Sequence, residues 1–286
     1  MFVLPSKNYY VGALCVEGGY KMNILKKLVS FALTAAVVAG IGSTSFAAET
    51  SVNIAKTFPD KNLQKVVSKY DKDKNGTLSL AEMKKFTELS IWSEDCVEDL
   101  TGIDKLKYTT RLIVFEGDME TINLSKCDNI EYANIICTNQ LTSFTGGWGL
   151  EYLELSFCTK LSSLDLSRSY NLETFKFIRN TKFRGTVDLN ASPYLEHVEL
   201  LDLNCTGVRF NKGANLKYIE CTRTKIESLN LNVMNFNTLT RILVYDNPNL
   251  RSLYLPSNSF SVLMSHRTNN GYSYRDSQRS ISISTK

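Results

Sequence analysis

From about residue 106 the apolar positions of this chain fall into a short recurring phrase. Ile130, Leu150, Leu172, Leu195, Leu216 and Leu239 open successive copies, at intervals of 20, 22, 23, 21 and 23 residues. The phrase reads L-E-Y-L-E-L at 150, L-E-T-F-K-F at 172, L-E-H-V-E-L at 195 and L-K-Y-I-E-C at 216. Its alternation of apolar and polar residues is the two-residue period of a strand with one buried face. A second phrase follows about eleven residues later in most units: L-S-S-L-D-L at 161, I-E-S-L-N-L at 226 and L-R-S-L-Y-L at 250. Asn139, Asn180, Asn204 and Asn247-Pro248 punctuate the turns. No ten-residue helical pattern fits between the leucine clusters, so a second short strand is predicted there.

Upstream the period changes. Leu63, Val66, Val67 and Tyr70 recur at helical spacing, with Asp60 placed to cap the helix N-terminus. Leu80, Met83 and Phe86 mark a second helical stretch, and Ser79 and Glu82 have the spacing of a capping box. Between them lies D-K-D-K-N-G-T-L-S-L-A-E, Asp71 to Glu82. A hard cation such as Ca2+ takes six to eight oxygens, and this spacing supplies them. Asp71, Asp73 and Asn75 offer side-chain oxygens, Thr77 a backbone carbonyl, Ser79 a water-mediated contact and Glu82 both carboxylate oxygens. Gly76 stands where the chain must turn sharply, and Leu78 can anchor the loop to a core. Lys72 and Lys74 oppose a cation, and no second such loop occurs. The expected affinity is extracellular in type, on the order of 0.1–1 mM or somewhat tighter.

A phrase of this length cannot bury its leucines alone, so the copies must stack into a continuous core. The fold expected is mainly β: a leucine-rich repeat solenoid with two short strands per 20–23-residue repeat, preceded by a small helix-loop-helix cap of EF-hand type. The order of F-P-D-x-x-L from Phe58 to Leu63, one calcium loop, L-T-G-I-D-x-L from Leu100 to Leu106, and then S-L-D-L-S units resembles exported leucine-rich repeat proteins of Gram-positive gut-type bacteria. The resemblance covers residues 58 to about 255. Internalins share its repeat logic more distantly. It implies a secreted or surface interaction protein and names no ligand. The sequence contains no L-P-x-T-G sorting pattern, and a single calcium loop departs from the tandem pair of a dockerin.

The N-terminal region reads differently again. Met22 opens a segment with Lys26 and Lys27, then an apolar run from Leu28 to Ile41, then Ser45-Phe46-Ala47. That is the order of a secretory signal peptide, cleaved after Ala47, with an apolar run short for a membrane span. Residues 22–47 are therefore expected to be removed. Residues 1–21 read as untranslated sequence ahead of a start at Met22, or as an N-terminal extension. The cap is expected at 58–90, the solenoid at 91–260 and a frayed tail at 261–286. The segment to Ala47 holds four lysines and one acid, which leaves 29 basic and 28 acidic residues. Near neutrality gives no footprint for nucleic acid or an anionic membrane. Cys96, Cys127, Cys137, Cys158, Cys205 and Cys221 remain, without C-x-x-C spacing, and are expected as buried free thiols.

Residues between the leucines of each first strand face outward. One column reads Tyr152, Thr174, His197, Tyr218 and Arg241; the next reads Glu154, Lys176, Glu199, Glu220 and Leu243. The second strands offer mostly Ser163, Ser228, Ser252, Asp165, Asp188 and Asn230. The candidate ligand face is therefore Tyr152, Glu154, Lys176, His197, Glu199, Tyr218, Glu220 and Arg241, since aromatic and arginine side chains carry most binding energy at such surfaces. The partner class implied is an extracellular protein or glycan. The alternative is a secreted carbohydrate-active or other hydrolase using Glu154, Glu199 and Glu220 as paired carboxylates. No H-E-x-x-H, G-x-S-x-G or phosphate-cradling glycine loop is present, so no catalytic residue is assigned.

Overall fold

A computed structural model describes residues 51–231, 241–254, 263–264 and 281–282. The segments expected as extension and signal peptide, residues 1–21 and 22–47, lie outside the described residues, as do Leu239 and most of 261–286. The chain divides into Met1–Ala48 and Glu49–Lys286, and all the described residues belong to the second unit.

The leucine phrases build a parallel solenoid. Its main wall is a nine-stranded sheet. In order these strands are β3 (Glu88–Trp92), β4 (Arg111–Phe115), β6 (Tyr132–Ile136), β8 (Tyr152–Ser156), β10 (Thr174–Ile178), β12 (His197–Leu201), β14 (Tyr218–Thr222), β16 (Arg241–Tyr245) and β18 (Leu263–Met264). The second phrases form a discontinuous opposite wall. One patch joins β5 (Thr121–Asn123), β7 (Ser143–Thr145) and β9 (Ser163–Asp165). Another pairs β11 (Thr186–Leu189) with β13 (Gly207–Phe210), and a third joins β15 (Ser228–Asn230), β17 (Ser252–Tyr254) and β19 (Ile281–Ser282). Leu150, Leu153, Leu155, Leu161, Phe175, Phe177, Leu195 and Leu200 sit between the walls with no exposed surface. Burying each such side chain stabilises the fold by about 1.5–3 kcal/mol.

The first strands from β4 to β16 end in the same corner. Glu116, Cys137, Phe157, Arg179, Asp202, Arg223 and Asp246 all lie in the left-handed region, with φ from 52° to 60°. None is glycine, so each corner costs about 1–2 kcal/mol of backbone strain. The corners persist because they sit in the ladder: Glu116 N–H donates to Ile136 O, Cys137 to Ser156 O, Phe157 to Ile178 O and Arg179 to Leu201 O, at 2.8–2.9 Å. Just past the corner, Asn180 and Asn247 are buried. Asn180 Nδ2 donates to Leu155 O at 2.7 Å and its Oδ1 accepts from Cys158 N at 2.9 Å. Asn247 repeats this with Cys221 O and Thr224 N, both at 2.8 Å. These two stand at the turns as expected and also clamp coil to coil.

Several boundaries differ from the expectation. The cap does not end at residue 90: β3 runs across that point as the first rung of the main sheet. Phe58, Leu63, Val67, Leu78 and Phe86 join one continuous core with Leu89, Ile91 and Leu112, because the helical phrases present their apolar faces to the open end of the sheet. The helices are short: α1 (Ile54–Thr57), α2 (Lys61–Ser68) and α3 (Leu80–Met83), the last a single turn. Within 261–286, expected to be frayed, Leu263–Met264 pairs parallel with β16 and Ile281–Ser282 antiparallel with β17. Ladder bonds are made by main chain, so a polar stretch can still extend them. Among the described residues the cysteines are unpaired; Cys127, Cys158, Cys205 and Cys221 are buried, Cys137 is half-buried and Cys96 is exposed. Burial pushes the four buried thiols up to about 12, so they behave as small apolar groups. Cys96 departs from this because it closes a short exposed 3-10 turn, Ser93–Asp95.

Asn180→Ala leaves the Leu155 carbonyl and the Cys158 amide buried without partners. It should destabilise the protein by about 2–4 kcal/mol, read as a fall in urea midpoint. The exposed Asn139→Ala should move it by less than about 0.5 kcal/mol.

Candidate functional site

The acidic loop is held in a closed form by its own amides. Asp71 Oδ1 accepts from Asn75 N at 3.2 Å and Oδ2 from Gly76 N at 2.8 Å. Asp73 Oδ2 accepts from the Asn75 amide at 2.8 Å, and Asn75 Oδ1 from Thr77 N at 2.8 Å. Gly76 turns the chain at φ 79°, in the left-handed region where glycine carries no penalty. Ser79 caps α3, and its hydroxyl donates to Glu82 Oε2 at 2.7 Å. Lys72 N donates to Glu82 Oε1 at 2.7 Å, which folds the last loop residue back onto the second. The Ser79 hydroxyl, then the Ser79 and Lys72 amides, hold the Glu82 carboxyl down at about 2. As a result Asp71, Asp73 and Glu82 each bring an oxygen within 4.8 Å of the others. Asn75, Thr77 and Ser79 line the same loop.

The loop has a partner that the sequence did not reveal. Strand β1 (Ser51–Asn53) pairs antiparallel with β2 (Thr77–Ser79), matching Val52 to Leu78 and Asn53 to Thr77. Ile54 N also donates to Gly76 O at 3.0 Å. Val52 and Leu78 are buried beneath the pair. The three-residue strand Ser-Val-Asn has too little pattern to be found from spacing.

The outward columns of the main sheet are in register as the leucine spacing requires. Thr174 pairs with Tyr152 on one side and His197 on the other; His197 pairs with Tyr218, and Tyr218 with Arg241. The second column aligns Glu154, Lys176, Glu199, Glu220 and Leu243 in the same way. The first column extends further than the candidate face, through Tyr132 and Arg111 to Glu88. Tyr132 was findable, since it stands at the same offset from Ile130 as Tyr152 does from Leu150. Arg111 was hidden because Thr109 occupies the leucine position.

The column side chains are tied to one another. Tyr132 and Tyr152 stack with centroids 4.5 Å apart, and His197 and Tyr218 at 4.3 Å. Arg111 lies over Tyr132 at 4.1 Å and bonds Glu88 at 2.9 Å; Arg241 lies over Tyr218 at 5.6 Å. Along each strand the ring group bonds the carboxylate two residues on: Tyr152 to Glu154 at 2.8 Å, Tyr218 to Glu220 at 2.7 Å and His197 to Glu199 at 2.7 Å. Lys176 reaches Glu199 at 3.2 Å. Burial pushes the Glu199 carboxyl up, but His197 and Lys176 outweigh it and hold the group below its usual range. Burial, with the adjacent Glu154 or Glu220, raises the Tyr152 and Tyr218 phenols above theirs. Ser163, Ser228 and Ser252 stand on the opposite wall, away from these groups.

No protein-family model and no curated protein sequence matches the chain. Solved structures similar to it include the functional domain of InlJ from Listeria monocytogenes, at 18% identity over 70% of this chain and 60% of that one, with a TM-score of 0.28. An internalin, InlF, from the same species shows 14% identity over 78% of this chain and 94% of that one, with a TM-score of 0.33. Internalin C2, also from that species, shows 16% identity over 79% of this chain and 100% of that one, with a TM-score of 0.45. The repeat architecture stands on the strand register of this chain, not on those likenesses.

A phenol whose folded pKa is raised stabilises the fold fully below its unfolded pKa, near 10, and that contribution is lost as pH rises through the folded value. Ultraviolet titration of Tyr152→Phe should therefore lose a late-titrating phenol and leave the ordinary ones near pH 10 in place. Loss of an ordinary phenol instead would refute the Tyr152–Glu154 bond.

Proposed function

We propose that this chain is a secreted, calcium-binding interaction module that engages an extracellular protein or glycan through the first-strand face. The observation that carries the reading is the in-register column of aromatic and charged groups from Arg111 to Arg241, braced along the strands by carboxylates two residues on. Binding surfaces draw most of their energy from such tyrosine and arginine groups when they are held rigid. The hydrolase reading fares worse. A glycosidase acid needs a raised carboxyl pKa, whereas Glu199 is held low and shared between His197 and Lys176. Among the described residues no helix is long and apolar enough to cross a membrane.

For calcium, Asp71, Asp73, Asn75, Thr77, Ser79 and Glu82 are the proposed ligands. Three carboxylate oxygens within 4.8 Å of each other repel, and a divalent cation among them relieves that repulsion. The site would lock a loop whose Leu78, together with Met83 just past the loop, enters the common core. Calcium should therefore stabilise the whole first end of the solenoid rather than an isolated cap.

Calorimetry with calcium should show one site that Glu82→Ala removes, and tenfold excess over Kd should add about 1.4 kcal/mol of stability. No calcium heat at millimolar metal would refute the site.

On a panel of extracellular proteins and glycans, Tyr152→Ala with Tyr218→Ala should weaken any captured ligand at least about tenfold. If that pair is silent and Ser163→Tyr with Ser228→Tyr blocks capture, the ligand uses the opposite wall.

A further inference from the structure

The ring stack on the first-strand face has a gap in its middle. Tyr132 on Tyr152 and His197 on Tyr218 are near-parallel stacks, their planes 10° and 11° apart. Between the two stacks, at the same register, stands Thr174, whose short side chain contributes no ring. Neighbouring strands are about 4.8 Å apart, so the facing rings of Tyr152 and His197 are about 10 Å apart across Thr174. One planar group placed there would sit at the same interval from each ring as the rings keep within their stacks.

The chain itself shows which planar group suits these rings. At one end of the column the guanidinium of Arg111 lies over Tyr132 while pairing with Glu88. At the other end the guanidinium of Arg241 lies over Tyr218. Around the gap, carboxylates outnumber bases. Glu154 and Glu199 flank it in the second column. Glu151, Glu173 and Glu196 follow one another just ahead of their strands, linked amide to carbonyl at 2.8 Å. The bases are His197, Lys176, which pairs with Glu199, and Lys217, which pairs with Glu196.

We propose that the gap over Thr174 is a slot for an arginine side chain of a protein partner, its guanidinium completing the stack between Tyr152 and His197. This rests on the first-strand face being the ligand surface, and it selects a protein over a glycan. A neutral sugar could stack on the ring faces that border Thr174 but would gain nothing from the carboxylates around them, whereas a guanidinium gains both. Lysine would supply charge without the planar fit, and a neutral planar side chain the fit without charge.

The test uses N-acetyl-arginine amide and its neutral isostere N-acetyl-citrulline amide, titrated into the protein while the His197 and Tyr152 ring resonances are followed by NMR. The arginine probe should give a saturable millimolar shift, and citrulline at least about fivefold less. Thr174→Tyr, which puts the chain's own ring into the gap, should abolish the arginine effect, whereas Thr174→Val should retain it. An equal citrulline shift, no saturable shift, or a full shift in folded Thr174→Tyr overturns the slot. If Thr174→Tyr does not fold, the arginine–citrulline comparison on the unmodified protein decides. Should the Tyr152/Tyr218 pair weaken a captured partner while the arginine probe is silent, the slot falls and the face stands. Should that pair be silent and the serine-wall pair block capture, the face falls, and the assignment of the slot to a partner falls with it.

Discussion

The parallel main-chain ladder is the constraint on which this molecule depends. Each coil of about 20–23 residues has too little apolar surface to stand alone, and its backbone amides and carbonyls must be satisfied by the coils on either side. The ladder runs without a slip from β3 to β16, through seven consecutive pairings. It holds even the strained corners: of the seven non-glycine residues that keep a positive φ there, Glu116, Cys137, Phe157, Arg179 and Asp202 donate their amides to the next coil. It also decides where polar groups can be buried. Asn180 and Asn247 lie inside because each supplies the inter-coil bonds the corner lacks.

Most of the solenoid was legible because leucine spacing encodes register directly. Once Leu150, Leu172, Leu195 and Leu216 are aligned, a slip of one residue would turn every leucine outward, so the columns follow. Legibility failed where that signal thins. Thr109 stands in a leucine position, so Arg111 is missing from the candidate face; Phe86 opens the phrase of β3 but also fits helical spacing, so the expected cap boundary falls inside β3. Strand β1 could not be found because three residues hold less than one full alternation; it exists through pairing with the loop and burial of Val52. The roles of Asn180 and Asn204 could not be told apart by sequence. One is buried between coils, while the other makes a surface bond to Thr181 O at 2.6 Å.

The cap illustrates how the ladder is closed at one end. An open sheet edge leaves unpaired amides and carbonyls, and a hydrophobic core left open at its end is unstable. Here α2 and α3 lay Leu63, Val66, Val67 and Met83 against that end, and the Tyr70 ring stacks on Phe86 at 3.8 Å. The acidic loop lies between those two helices, and β1 covers the edge of its β2 segment. Asp71, Asp73 and Glu82 meet within this loop, and the Ser79 hydroxyl with the Ser79 and Lys72 amides holds Glu82 in its charged form, so the loop is braced by its own donors.

The same register that holds the coils also makes the exposed face rigid. Stacking equivalent positions at about 4.8 Å brings Tyr132 against Tyr152 and Glu199 against Glu220, while Lys176 separates Glu154 from Glu199. A column of carboxylates would repel unless braced, and the Tyr152, Tyr218 and His197 bonds to Glu154, Glu220 and Glu199 provide that bracing within single strands. Side chains already fixed by such bonds lose little entropy when a partner docks. The interruption at Thr174 then gains meaning from its surroundings: it is an opening whose walls are preformed rings and whose rim is acidic. A solenoid varies its surface by changing single outward residues without disturbing the ladder beneath. One short side chain in an otherwise filled column is the feature on which the proposed arginine slot rests.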